Sequence, residues 1–187
     1  NSSRAALGLL IGNMYQKSKG RSWELRKKSI ELWPKWIKFL QQYNQTLDID
    51  KPLIQLTTDK TYFKKLSQFI SDHPKRDLKI LEKESSIIKN INKIFKINNL
   101  RGIISFQDGR IDPISLLKTI NIYLENKKIN FLNKEIIKIK KKNNQWISTC
   151  ENNFEIKSDA IILCNSLDAL KLIDLNKHKI KLKPVLG

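Results

Sequence analysis

The chain has 187 residues, with 36 Lys and Arg against 18 Asp and Glu, a formal charge of +18 and a 40% hydrophobic content. That length allows one sizeable core, or one domain and part of another, and no window holds the roughly 18 consecutive apolar residues of a membrane-crossing helix. Cys150 and Cys164 sit alone in apolar, strand-like surroundings, which argues against a disulfide framework and for a reducing, cytoplasmic compartment.

The charge has two readings: a surface for a polyanion, or a coding bias towards Lys, Asn and Ile. The basic residues are spread along the whole chain, and only Arg4, Arg21, Arg26, Arg76, Arg101 and Arg110 are arginines. The densest run, Lys138 and Lys140 to Lys142, ends at Asn143-Asn144 as a solvated hairpin tip would. No strand carries the closely spaced aromatics on which bases stack. No specific nucleic-acid partner is therefore expected, and a basic nucleic-acid-binding module stands as the alternative reading.

The first residue is Asn1, and Val185-Leu186-Gly187 reads as a strand cut short, so the expectation is an excised piece of a longer protein. Ala5 to Ile11 is apolar but is broken by Gly8 and lacks a cleavage-type end, so it is not read as a signal peptide. Gly8 and Gly12 in this opening stretch allow close backbone approach, either to a flat ligand or to the chain's own core.

Ser22 to Tyr43 is the longest expected helix, with Ser22 as N-cap and a stripe through Trp23, Arg26, Ile30, Trp33, Ile37 and Leu40. Pro34 in its interior predicts a kink or break near Glu31. Trp23, Trp33 and Trp36 at helical spacing read as core before they read as a cofactor cage. Leu53 to Thr57 is a strand, and Asp59 opens a helix through Tyr62, Phe63, Leu66, Phe69 and Ile70 that His73-Pro74 closes. No Cys, His or carboxylate cluster surrounds His73, so no metal site is expected there. Leu78 to Leu81 is a short strand, and Lys83 to Phe95 is a short helix or an irregular segment.

Leu100 to Ile120, LRGIISFQDGRIDPISLLKTI, is the stretch around which the chain is organised. An apolar run through Phe106 reads as a strand. Gln107-Asp108-Gly109-Arg110 reads as a turn, with Gly109 at positive φ and Asp108 bonding its own backbone. Asp112 is an N-cap with Pro113 at the first helical position. After that helix, Ile129 to Leu132 reads as a strand, and Glu135 to Lys141 as a second, with Ile137 and Ile139 on one face. Turns at Asn143-Asn144 and Asn152-Asn153 join it to Trp146–Cys150 and Phe154–Lys157 in a meander. Ala160 to Cys164 is a continuous apolar run, the pattern of a strand covered on both faces. Asn165 to Asp168 leads into a helix from Ala169 to Ile173, and Lys181 to Val185 is a closing strand.

No Gly-rich phosphate fingerprint, Walker-type loop, paired-Cys motif or HExxH is present, and neither histidine forms a triad. By motifs alone this is a mixed α/β domain without a self-sufficient catalytic constellation. The order of its elements, however, resembles the middle of FAD-dependent oxidoreductases of the D-amino-acid oxidase type, with a layout similar to glycine oxidases. Ser2-Ser3-Arg4-Ala5-Ala6-Leu7-Gly8-Leu9-Leu10 resembles the family's segment along the flavin. Asp108-Gly109-Arg110-Ile111-Asp112-Pro113 fits its D-x-x-[VI]-[DE]-P joint, and Glu135 to Ile139 its adenine-contacting strand. Ile161 to Ser166 resembles a strand with a small-residue end, and Pro184-Val185-Leu186-Gly187 the P-x-[KR]-G segment. Ser166 stands where the family usually has Gly, and Leu186 where a basic residue is common.

The resemblance implies a fold between α/β and α+β: partial FAD-binding domain elements plus part of a mixed or antiparallel substrate-domain sheet. It divides the chain into an FAD-domain segment at 1–50, a substrate-domain part at 51–106, an FAD-domain helix, meander and strand at 107–175, and a second substrate-domain segment from 176. It implies FAD as cofactor, with Ser2, Ser3, Leu7, Gly8 and Leu9 on the flavin side and Ile136, Cys164 and Asn165 on the ADP side. It also implies a small amine or amino acid as substrate, and it leaves room for a homo-oligomer. The G-x-G-x-x-G turn, its ribose-binding acid and the substrate-binding Arg of the family are not in the sequence. The chain alone is therefore expected neither to hold FAD tightly nor to turn over substrate, and a cofactor-free scaffold of the same fold is a further alternative.

Overall fold

A computed structural model describes residues 6–17, 19–165 and 168–172. Two compact units divide the chain, Asn1–Ile129 and Asn130–Gly187. In the first, β1 (Leu9–Leu10), α1 (Arg21–Leu40), β2 (Ile49–Asp50), β3 (Leu53–Thr57), α2 (Lys60–Asp72), β4 (Leu78–Leu81), α3 (Ser86–Phe95), β5 (Arg101–Ser105), β6 (Gly109–Ile111) and α4 (Pro113–Asn126) follow in order. The second holds β7 (Ile136–Lys142), β8 (Gln145–Cys150), β9 (Glu155–Ser158) and α5 (Ala169–Leu172). The strands form three small antiparallel sheets, ordered β1-β6-β2, β3-β5-β4 and β7-β8-β9. The fold is thus α+β. The expected substrate-domain segment 51–106 contains the whole β3-β5-β4 sheet, while the β1-β6-β2 sheet draws its strands from both sides of it.

The first unit is built around the stretch singled out above. Ile111 joins Ile37, Leu40 and Leu47 in one buried cluster. Leu100 and Ile104 join Leu81 and Ile88 in a second, and Ile103 joins Met14 and Leu66 in a third. Ile103 and Ile104 point to opposite faces of the central strand β5, as the two-residue period requires, so one strand feeds two cores.

Local chemistry sets most boundaries. Asp59 accepts from the Thr61 and Tyr62 N–H groups, and Ser85 from the Ile88 N–H, capping α2 and α3. Asp112 Oδ2 accepts from the Ser115 N–H at 2.8 Å, with Pro113 opening α4. Asn143 and Asn144, at φ 48° and 63°, supply the two left-handed residues that a tight hairpin between β7 and β8 needs.

Five expectations are corrected. Helix α1 starts at Arg21, after Gly20 at φ 87°, so Ser22 lies inside the helix and does not cap it; α1 also runs unbroken through Pro34. Burial of Ile37 and Leu40 just beyond the proline anchors the second half of the helix in the core. Ile129 to Leu132 forms no strand, and Ile129, Phe131 and Leu132 are exposed. Within β7 a bulge at Ile137 breaks the alternation, so Ile136 and Ile139, not Ile137 and Ile139, are the half-buried pair. Residues 161–165 are not in a strand, and Ile162 is 87% exposed: an apolar run becomes a covered strand only where a neighbouring strand pairs with it, and none does among the described residues. Ser166, Ile173 and Lys181 to Val185 lie outside the described residues.

Candidate functional site

The Asp108-Gly109-Arg110-Ile111 sequence forms neither a free turn nor a ligand-presenting loop. It is a splint for residues 7–14. The carboxylate of Asp108, fully buried, accepts from the N–H groups of Gly12 (2.7 Å), Asn13 (2.9 Å) and Met14 (2.8 Å). Gly109, expected at positive φ, is instead in β6 opposite Leu10, with Asp50 O only 2.5 Å from where a Cβ would lie. Arg110 donates from Nε to Leu7 O at 3.1 Å and forms ion pairs with Asp50 and Asp112. The Ile111 N–H donates to Gly8 O at 2.9 Å.

Two more cations complete the clamp. Arg26 Nη1 donates to Ile11 O at 2.8 Å, and its guanidinium lies 4.0 Å from the centre of the Tyr15 ring. Arg76, 8% exposed, donates to the carbonyls of Asn13 and Tyr15 and stacks on Trp23 at 4.4 Å. Burial pushes the Arg76 guanidinium below its usual pKa, and the Asp108 charge pushes it partly back. The phenol of Tyr15 titrates below a free tyrosine: a hydrogen bond with Ser22 favours its ionised form most, burial opposes this, and Lys17 and Arg26 add to the lowering. Neither Asp108 nor Arg76 stood out in the sequence as part of such a clamp, because their partners lie 61 to 96 residues away.

This clamped segment and strand β3 wall a cavity of about 770 Å³. Leu9, Ile11, Met14, Leu53, Ile54 and Leu56 give it an apolar lining, and Gln16, Gln55 and Tyr62 form its polar cluster. Sequence reading placed Leu9 near a ligand and took Tyr62 for a helix-face apolar residue; the structure adds the hydrogen bonds of Tyr62 to Gln16 and Gln55.

In the second unit, Ile136, Cys164 and Asn165 line one cavity of about 440 Å³, together with Glu135, Ser148 and Lys171. Lys171 Nζ pairs with Asp168 at 2.8 Å, and hydrogen bonding to that carboxylate raises its pKa. Among the described residues, strand β7 is an edge. Glu135 O accepts from the Glu151 N–H, while the Cys150 N–H and C=O bond Phe154 and Asn153. Backbone groups alternate sides along a strand, so the N–H and C=O of Ile136, paired opposite Cys150, face off the open edge of the sheet.

FAD can be tested against these walls by donor chemistry. An open N–H and C=O pair beside Ile136 and Ile139 suits the edge and face of a purine. Leu7 and Leu9, 73% and 42% exposed, offer apolar surface to a ring. Gly8 does not owe its small size to a ligand: at φ 71° its Cβ would meet Ile111 O at 1.9 Å, and at Gly12 a Cβ would meet Ile30 at 2.8 Å. Among the described residues the one cation lining the second cavity, Lys171, is already paired with Asp168, so the described walls suit the rings of FAD better than its diphosphate. Ser2 and Ser3 lie outside the described residues.

No family model matches the chain, and no curated protein matches it by sequence. Among solved structures it is similar to glycine oxidase from Geobacillus kaustophilus, with a TM-score of 0.71 and 18% identity over 91% of this chain and 46% of that one. It is similar to L-amino acid deaminase from Proteus myxofaciens at TM-score 0.71 and 12% identity, over 96% of this chain and 40% of that one. Iminodiacetate oxidase from Chelativorans sp. BNC1 is similar at TM-score 0.66 and 15% identity, over 86% and 44%. The chain therefore has the fold of these oxidase and deaminase structures, and it spans less than half the length of each. The resemblance drawn from element order is matched in three dimensions.

Proposed function

We propose that the chain is part of an FAD-dependent oxidoreductase that oxidises a small amine or amino acid. The observation that carries this reading is the likeness in fold to glycine oxidase over 91% of the chain. The clamped Leu7–Leu9 segment and the open β7 edge add to it. FAD, when bound, supplies acceptance of a hydride from the carbon beside the substrate nitrogen.

The chain's own residues bind and orient. Leu7, Gly8 and Leu9, held in place by Arg110 and Ile111, line the flavin side, and the resemblance assigns Ser2 and Ser3 to the same side. Ile136, Cys164 and Asn165 hold the ADP side, Ile136 through its edge N–H and C=O. Met14, Ile54 and Leu56 keep water from the substrate's carbon skeleton in the larger cavity. A reducing, cytoplasmic setting, expected from two isolated cysteines, is part of this proposal.

The complete natural polypeptide that contains this chain is expected to purify with about one FAD per chain, read from its visible spectrum after denaturation releases the cofactor. The 187-residue chain alone is expected not to retain it. A folded complete polypeptide that is colourless and takes up no added FAD would overturn the reading in favour of a cofactor-free scaffold.

A further inference from the structure

A cavity of about 590 Å³ lies between α2 and the ends of β4 and β5, and it shares no lining residue with the two described above. Its cations come from two sides. Lys60 and Lys64 stand one helical turn apart on α2, both exposed, and among the described residues neither forms an ion pair. Arg101 opens β5. The register that sets Leu81 opposite Gly102 brings Glu82 opposite Arg101. Ile103, two residues further on and packed with Leu66, shows that this is the face of the sheet that α2 covers. The Arg101 guanidinium lies 5.4 Å from the centre of the Phe63 ring at the cavity wall.

The one carboxylate among the described lining residues does not satisfy this arginine. Glu82 Oε2 approaches Arg101 Nε at 3.4 Å, yet Nε is buried without a hydrogen-bond partner. A buried N–H beside a half-made ion pair is a cost that structures rarely carry without a use. The Glu82 side chain is 54% exposed, so it can swing aside. Three cations around one loosely held carboxylate are complementary to a dianion. Helix α3 offers a contrast: Lys89 and Lys93 have the same spacing and exposure, but α3 packs through Ile88 with Ile104, on the face of β5 opposite to Arg101.

We propose that this cavity binds a phosphate monoester, with Arg101, Lys60 and Lys64 around the phosphate and Glu82 displaced from the arginine as it enters. A carboxylate is already present in Glu82 and leaves the arginine unsatisfied. A phosphate brings a second charge and three oxygens, which reach arginine and lysine together. The cavity is larger than a bare phosphate ion fills, so the phosphate carries an organic body. The site does not rest on the oxidoreductase reading.

The test is a titration of the 187-residue chain, without flavin, with glucose 6-phosphate, inorganic phosphate and glucose, followed by nuclear magnetic resonance shifts of the α2 and β5 amides. Glucose 6-phosphate is expected to bind saturably, about fivefold tighter than inorganic phosphate, and glucose to show no saturation. A formal charge of +18 attracts any anion, so a charge-matched control is included. Lys60→Gln with Lys64→Gln is expected to weaken glucose 6-phosphate about tenfold, and Lys89→Gln with Lys93→Gln by less than about twofold. Glu82→Gln removes the competing carboxylate and is expected to tighten binding about threefold, which a purely structural Glu82–Arg101 pair would not do. Each variant is checked for an unchanged circular dichroism spectrum.

Equal weakening by the two lysine pairs would reduce the effect to the overall charge of the chain and overturn the proposal. Equal binding of inorganic phosphate and glucose 6-phosphate, an unsaturable titration of the folded chain, or indifference to Glu82→Gln would overturn it as well. Because no flavin takes part, a phosphate site found here survives failure of the flavoprotein reading.

Discussion

Asp108→Ala is expected to destabilise the unit Asn1–Ile129 by about 4 kcal/mol, because it strips the acceptor from three buried N–H groups at once. Those groups belong to Gly12, Asn13 and Met14, and Met14 is itself core, packed with Leu66 and Ile103. Arg76, buried beside them, would also lose the negative charge that offsets its desolvation. Asp108→Asn retains one oxygen but turns an amide N–H₂ towards one of the donors, so about 3 kcal/mol is expected. Urea unfolding followed by the fluorescence of Trp23, which lies against Arg76, reads this change directly. A loss below about 1 kcal/mol for the alanine variant would mean that water or a shifted loop satisfies the three donors, and the splint would not be the organising feature.

Gly8→Ala is the second large effect, expected at about 3 kcal/mol. Two penalties act together: a left-handed φ of 71° and a Cβ only 1.9 Å from Ile111 O, in backbone that cannot swing aside as a side chain would. Gly20 separates them. It has φ 87° but nothing within 4 Å of an added Cβ, so Gly20→Ala carries conformational strain alone and is expected to cost about 1 kcal/mol. If Gly8 were small for a ligand's sake, Gly8→Ala would leave the unfolding midpoint of the unliganded chain near that of wild type. Thermal unfolding of the two variants side by side decides between these causes.

Much of the first unit was legible in its sequence because local chemistry dictated it. Asp59, Asp112 and Pro113 are capping signals whose effect reaches only one helical turn, and Leu53–Thr57 and Leu78–Leu81 are runs whose residue types match their strands. What could not be read was long-range. Asp108 beside Gly109 is a strong turn signal, yet the carboxylate is drawn to a segment about 95 residues earlier, and Gly109 enters a strand because Asp50 O leaves room for nothing larger than hydrogen. Ile137 departs from the alternation of its sequence for a similar reason, since a one-residue bulge is set by the partner strand and not by the pattern of β7. The apolar run at 160–164 carried a strand's composition without the neighbour that makes a strand.

The candidate sites divide along the same line. Ile136, Cys164 and Asn165 were named from a resemblance, and they line one cavity. Tyr62 has the spacing of a core-facing helix residue, and it does pack beside Leu66 and Ile103. Its hydroxyl network depends on Gln16, 46 residues away, and on Gln55, which no helical periodicity could pair with it.

The most direct measurement is anaerobic addition of small L- and D-amino acids to the complete natural polypeptide, with the visible flavin spectrum recorded before and after. Bleaching of the oxidised flavin band by at least one amino acid, without any nicotinamide present, is the predicted result. A bound flavin that no amino acid or small amine bleaches, but that a reduced nicotinamide does, would contradict the account.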